Sequence, residues 1–447
     1  MAHVQPFRAL RYNPERASFQ NVLTQPYDKI SPEMQDKYYA ADPHNLIAIE
    51  KGRVFPSDAP GNNVYTRAAA ALHDWIRENI VAQDPAPAFY AYSQEYTAPG
   101  TNIRRTRHGF IGLGKLEEYS AGVVFRHEHT LSGPKADRLE LLRHTHTHTG
   151  QLFMLYSDPD RRIALILREA QADSVPATEI RDEYDVLHRL WIISEPRRIA
   201  AIQKAMEQQR LVIADGHHRY ETALNYRNEM RERAGKTDPN APYEYAMMTF
   251  VNTRSEGLLI LPTHRVVANL QHFSCEKFLQ SIEPWFAAES FPFADDASQG
   301  AARAKFLARL TAAKAQRAIG VYPAAPAAQR AFYVLTLRPG ADLEKLLPGR
   351  SVLQRELDVV LLHEGILQPA LGITPQSVAK EANLTYEREA IAALAAVDRG
   401  AAQIAFLLNP VDVEDVMLVA TSGEVMPQKS TDFFPKLMSG ITMYRIA

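Results

Sequence analysis

The chain has 447 residues, 46% of them hydrophobic, with Lys+Arg 50 against Asp+Glu 52 and a net charge of -2. That is enough apolar material for two or three cored domains, while near-neutrality argues against general binding to a nucleic-acid backbone. The one cysteine, Cys275, excludes an internal disulfide and a cysteine-based zinc site. No apolar run approaches the roughly 20 residues needed to cross a bilayer, and MAHVQPFRALRYNPE lacks a signal-peptide layout, so a cytoplasmic protein is expected.

Arg67 to Ile80 has helical apolar spacing, and Phe89 to Tyr96 reads as a strand. His108 to Leu116 and Gly122 to Arg126 are strand-like, and Ala136 to Thr145 is helical. Leu152 to Tyr156 and Ile163 to Leu167 read as a hairpin around DPDRR. Pro196 to Gln209 predicts a helix, Leu211 to Ala214 a strand, and Tyr220 to Arg233 another helix. Tyr245 to Asn252 and Gly257 to Leu261 form a further strand pair. Beyond Val266 come helices over Cys275 to Phe286 and Ala302 to Lys314, and a hairpin of Ala318 to Val321 with Ala331 to Leu337. A long helix is expected over Leu353 to Leu367, then strands at Ile404 to Leu407 and Val416 to Ala420. The many hairpins favour an α+β fold over a doubly wound parallel sheet. The expected divisions are 1–265 as a core carrying the site, 266–400 as a small α/β and helical domain, and 401–447 returning to the site.

Two segments invite a phosphate-loop reading. GFIGLGK, Gly109 to Lys115, fits G-x-x-x-x-G-K, but Leu116 replaces the Ser or Thr that should hold magnesium and no helix follows. A glycine-containing strand explains it better. VIADGHHRYET, Val212 to Thr222, has the better context: a strand, an Asp215-Gly216 turn, then a helix. The N-terminus of a helix presents unpaired N–H groups, and glycine lets a ligand approach the backbone. His217, His218 and Arg219 add donors where cations are otherwise disfavoured. The competing reading is a simple cap in which Asp215 accepts helix N–H bonds. Adjacent helical positions diverge by about 100°, so His217 and His218 are not expected to chelate one metal.

FRHEHTLSGPKADRLELLRHTHTHTG, Phe125 to Gly150, holds five histidines: His127, His129, His144, His146 and His148. The sharper reading is a zinc or iron site, the blander one a hydrophilic helix end and loop. Glu128 is expected to point away from its histidine neighbours on a regular strand. Lys135 and Arg138, three apart after a Gly-Pro turn, form a second candidate phosphate clamp. MPQKST places Lys429 beside Ser430 and Thr431, and QPYDKI places Asp28 in a turn.

QPYDKIS, DPHNLIAIE, HEHT, PKADRLELL, HRLW, ADGHHRYETAL, LPTHRVV, AFLLNP and MPQKSTDFFPKL together resemble the blocks of a bacterial and archaeal family of unknown function. Through its DGHHR block that family is similar to the ParB-like group, which includes the free serine kinases and sulfiredoxins. The resemblance implies a ParB/sulfiredoxin-like mixed-sheet core in which Gly216, His218 and Arg219 contact phosphate, with Asp215 and His217 close by. It further implies an ATP- or ADP-dependent phosphotransferase acting on serine or another small hydroxyl compound. Lys135, Arg138 and Lys429, with Ser430 and Thr431, would join the phosphate contacts. Asp28, Glu128 or Asp215 would be the base, and Mg2+ would sit on Asp215 and Glu128. No cysteine stands in the block, against sulfiredoxin chemistry. The rival readings are a ParB-like nucleotide switch without small-molecule kinase activity and a metal-dependent hydrolase using the histidines.

Overall fold

The computed structural model describes residues 1–446 apart from 129–132, 327–328 and 381, and it leaves out the side chains of 133, 134 and 379. The chain forms two compact units: Met1–Leu259 with Phe433–Ala447, and Ile260–Asp432. Residues 401–432 therefore fold with the second unit, and only the last stretch of the expected third segment belongs to the first.

The first unit is built on a nine-stranded mixed sheet. In chain order its strands are β1 (Val4–Gln5), β2 (Phe89–Thr97), β3 (Arg104–Lys115), β4 (Val124–Phe125), β5 (Leu152–Tyr156), β6 (Thr178–Arg181), β7 (Leu187–Ile193), β8 (Leu211–Asp215) and β9 (Tyr245–Asn252). Their spatial order is β4-β8-β5-β9-β3-β2-β7-β6, with β1 against β3. β8 runs parallel to β4, and β9 parallel to β5, while the other pairs are antiparallel. The GFIGLGK segment is the C-terminal part of β3. A Cβ at Gly109 would stand 2.6 Å from Phe250 O, and one at Gly114 2.4 Å from Met248 Sδ. These glycines admit neighbouring strands and bulky side chains, as a strand reading requires.

Five helices matter for the first unit: α1 (Val64–Arg77), α2 (Gly133–Thr145), α3 (Arg162–Ala172), α4 (Pro196–Met206) and α5 (His217–Ala234). Ile163 and Leu167 of α3, Ile202 of α4 and Tyr220 and Leu224 of α5 join Met154, Phe110 and Phe250 of the sheet in one apolar core. The opposite sheet face carries polar groups, among them buried Gln94, Arg107 and His188. The expected strand at Ile163–Leu167 is part of α3. A five-residue apolar run fits either element; Ile163, Leu167 and Ala170 bury one helical face, and Asp158 accepts from Ile163 N at 3.1 Å in the first turn.

The second unit contains a six-stranded antiparallel sheet of β10 (His264–Val267), β11 (Phe286–Pro292), β12 (Ile319–Pro323), β13 (Ala331–Leu337), β14 (Leu384–Glu387) and β15 (Ile404–Leu407). Its order is β11-β13-β12-β15-β10-β14. α6 (Asp296–Ala312) and α7 (Ala390–Asp398) cover it through Phe306, Leu310 and Leu394. Two expectations change here. Val416–Ala420 is helical, within α8 (Val413–Thr421), because Val416, Val419 and Ala420 bury one face at helical spacing. The long helix over Leu353–Leu367 is broken into Val352–Arg355, Asp358–Leu362 and a π-turn at His363–Leu367. Buried Arg265 donates to His363 Nε2 at 3.2 Å at that turn.

Candidate functional site

β8 ends at Asp215 after an irregularity in its pairing with β5. Gly216 then adopts φ 95, the left-handed region, and α5 starts at His217. No side chain caps the helix. Asp215 Oδ1 accepts from Gly216 N at 2.8 Å, the residue before the helix, and makes no cap bond to the helix, so the simple-cap reading is corrected. The helix has 18 residues, and its N-cap, being glycine, has no side chain to accept from the first-turn N–H groups.

Cations gather at this terminus. Lys436 Nζ lies 3.2 Å from Asp215 Oδ2. Burial alone would raise the Asp215 carboxyl, but Lys436, Arg219 and Lys29 together hold it far below the usual carboxylate range. Arg219 Nη1 donates to Gln151 O, and its guanidinium lies 3.1 Å from the position a Cβ would take on Gly216. Lys436 is positioned by the polar sheet face. Arg107, 1% exposed, donates to Gln94 Oε1 and to the carbonyls of Phe434 and Pro435, over the ring of Phe153 at 4.6 Å. Gln94 Nε2 donates to Lys436 O at 2.7 Å. Burial pushes the Arg107 guanidinium down to about 10.

The two helix-start histidines differ. Burial, then His127, hold His217 at about 3, so its ring is neutral, and its buried Nε2 has no hydrogen-bond partner among the described residues. His217 meets His127 edge to face at 4.8 Å. His127 Nδ1 must carry the proton, since it donates to Ile213 O at 2.7 Å. Its Nε2 lies 3.6 Å from Glu128 Oε1. That pair corrects the expectation that Glu128 points away, because β4 stops at Phe125 and regular alternation does not reach it. His218 lies in the first turn of α5, close enough to act on His217.

A carboxylate that sequence reasoning did not single out stands beside Arg219. Glu50, 2% exposed, accepts from Thr149 Oγ1 at 2.5 Å and Ser439 Oγ at 3.2 Å. A Cβ on Gly150 would lie 3.1 Å from Ser439 Oγ, 3.2 Å from Arg219 Nη1 and 3.5 Å from Glu50 Oε1. Glycine therefore keeps a small polar niche open. Lys51 Nζ donates to Tyr27 O and Ile30 O, at 3.2 and 2.6 Å, tying the QPYDKI turn to the same segment. Arg138 donates to Glu50 O at 2.8 Å and lies over the Tyr27 ring at 4.4 Å. The Tyr27 phenol is raised to about 12, by burial first, with Arg219, Asp28, Arg138 and Glu50 all within electrostatic reach. A cavity of about 500 Å³ opens here, lined in part by Tyr27, Lys51, Arg53, Phe55, Tyr65 and Arg138. The only available sequence signal for Glu50 was its place in DPHNLIAIEKG, an acid ending an apolar stretch.

Lys135 pairs with Glu221 of α5. Asp28 is exposed on a one-turn helix, 3.8 Å from Lys29 Nζ. Lys429, Ser430 and Thr431 fold with the second unit. Lys429 has φ 57, and its carbonyl accepts from Arg265 at 3.1 Å. Ser430 turns its hydroxyl onto Pro427 O. His129 lies outside the described residues. His144 stacks on Tyr65, His146 meets the Tyr226 hydroxyl at 2.7 Å and His148 stacks on Tyr444, so the three rings diverge. Among the described residues no three His, Cys, Asp or Glu side chains are grouped to hold a metal ion, and no helix is long and apolar enough to cross a membrane.

A family model described as "Protein of unknown function (DUF1015)" matches residues 4–360. The chain belongs to this family. No protein of curated function matches it. Among solved structures, a conserved hypothetical protein from Pyrococcus furiosus is 14% identical, with a TM-score of 0.33 over 72% of this chain and 92% of that one. A free serine kinase in complex with AMP is 12% identical, with a TM-score of 0.33 over 71% and 89%. SbnI from Staphylococcus aureus, with a C-terminal truncation, is 10% identical, with a TM-score of 0.32 over 74% and 85%.

Proposed function

We propose that this DUF1015 protein is a nucleotide-dependent phosphotransferase acting on a small hydroxyl compound, with its site in the first unit of a ParB/sulfiredoxin-like core. One observation carries the reading. A helix start without a side-chain cap, entered through left-handed Gly216, is faced by Arg219, Lys436 and Lys29. Backbone N–H groups and fixed cations together suit a polyphosphate. The adjoining cavity offers aromatic walls and further cations for the rest of an ATP or ADP molecule.

The phosphates would lie on Gly216, His217 and His218, with Arg219, Lys436 and Arg138 neutralising charge on the transferred group. Asp215 is a poor base, because three cations stabilise its charged form. The proton acceptor is assigned to Glu50, the carboxylate at the niche that Gly150 keeps open beside Arg219. The acceptor hydroxyl would give its proton to Glu50 as its oxygen bonds to phosphorus and the nucleotide oxygen leaves with the bonding pair. Asp215 and Glu128 both lie near His217 and would hold a magnesium ion completed by phosphate oxygens, which would supply charge neutralisation.

Phosphorus NMR with ATP, ADP and CTP, magnesium and an amino-acid mixture tests this. Turnover that falls at least a hundredfold in Glu50→Gln, with nucleotide binding retained, is expected. Nucleotide binding without turnover in the wild-type protein would point to a switch module instead. Binding unchanged in Arg219→Ala would overturn the placement of the phosphates.

A further inference from the structure

We infer that the first unit carries a second anion site, distinct from the one at Asp215, for a small multivalent oxyanion. The site is a cleft of about 410 Å³ lined by Arg104, Arg105, Arg161, Arg168, Arg254 and His108, against the single carboxylate of Glu256. The whole chain is close to neutral, with a net charge of -2, so five arginines in one cleft are a local concentration and not a consequence of composition. Like charges this close repel, and a bound anion removes that cost.

Several of these side chains have internal partners, and one does not. Arg161 reaches Glu256 at 3.5 Å, and Arg105 Nη1 donates to the Glu256 carbonyl at 3.0 Å. Arg104 pairs with Glu95. Arg168 has no carboxylate or hydrogen-bond partner among the described residues. Two donors at the cleft, Arg105 Nε and Gln171 Nε2, are buried with none either. A buried donor without a partner costs free energy, so two of them in one cleft point to a missing acceptor.

The cleft is remote from the first site. Asp215 pairs with Phe153 near the start of β5, whereas Tyr156 and Asn252, which line the cleft, pair at its other end. Three residues of strand separate these ends by about 10 Å. Tyr156 and Leu167 also belong to the helix-covered core, so the cleft opens on the face bearing α3. Guanidinium forks accept phosphate and carboxylate alike, and the cleft's size suits a small molecule more than a polymer.

Titration calorimetry of the full chain with inorganic pyrophosphate, and separately with citrate, tests the inference and distinguishes the two anion classes. The Arg219→Ala background removes the first site's contribution. In that background one equivalent of pyrophosphate or citrate should bind, and adding Arg168→Ala should weaken it at least tenfold. Arg168 is exposed and has no carboxylate or hydrogen-bond partner among the described residues, so the melting temperature of the variant should hold. No binding of either anion in the Arg219→Ala background, or equal affinity with and without Arg168, overturns the site.

Discussion

Lys436 and Asp215 show how one contact sets the chemistry of a residue. Asp215 is about a quarter exposed as a side chain, and its depressed carboxyl makes it a fixed negative charge at working pH. A carboxyl lowered on folding stabilises the fold above its unfolded value of about 3.9 and loses that contribution as pH falls further. Lys436→Ala should therefore cost about 1–2 kcal/mol at pH 7, read from denaturant melts, and most of that cost should persist at about pH 3, where the folded carboxyl is still ionised. His264 acts in a higher pH window. Burial, then Arg265, hold it at about 4, below the unfolded value of about 6.5. The unfolded chain takes the proton first as pH falls, so stability is intact above about pH 6.5. Below that it declines by about 1.4 kcal/mol per pH unit until about pH 4. His264→Asn should flatten the pH dependence of stability by one proton in that window. A parallel slope in the variant would contradict it.

At the level of elements, α5 is bracketed by two left-handed glycines with different duties. Gly216 has φ 95 and stands against Arg219 and Leu152, each 3.1 Å from a would-be Cβ. Gly235, φ 65, faces open space. Either change to Ala costs about 1–2 kcal/mol of backbone strain. Gly216→Ala should in addition weaken pyrophosphate binding at the first site, while Gly235→Ala should leave it unchanged. Equal binding in both variants would separate the glycine from the ligand. Element type was legible where the apolar pattern was long: α5, β3 and β9 follow their periodicity. It failed at IALIL and VMLVA, where a short apolar run fits strand and helix alike. In each, the burial of one helical face settled the choice.

Across the whole chain, the first unit is completed by its own distant C-terminal stretch. Phe433, Leu437, Met438, Ile441 and Met443 are buried there. The same stretch supplies the carbonyl acceptors of Arg107, and Ser439 to Glu50. Removing residues 433–447 should lower the melting temperature by well over 10 °C and abolish nucleotide binding, since several buried side chains each contribute about 1.5–3 kcal/mol. A truncated chain that melts and binds like the full one would show that the first unit is complete without it.

The sequence by itself determined the α+β class, the strand–turn–helix at Asp215 and the donors of its first turn, because each depends on local pattern and on one turn glycine. It also placed QPYDKI and PKADR among the candidate blocks. Tertiary structure alone decided that Lys436 and not a helix N–H neutralises Asp215. It alone brought Glu50, Thr149, Ser439 and Arg219 to one niche, and it alone dispersed the histidines of HTHTHTG onto separate aromatic partners. Such outcomes depend on contacts between residues far apart in the chain, which leave no local periodicity to read.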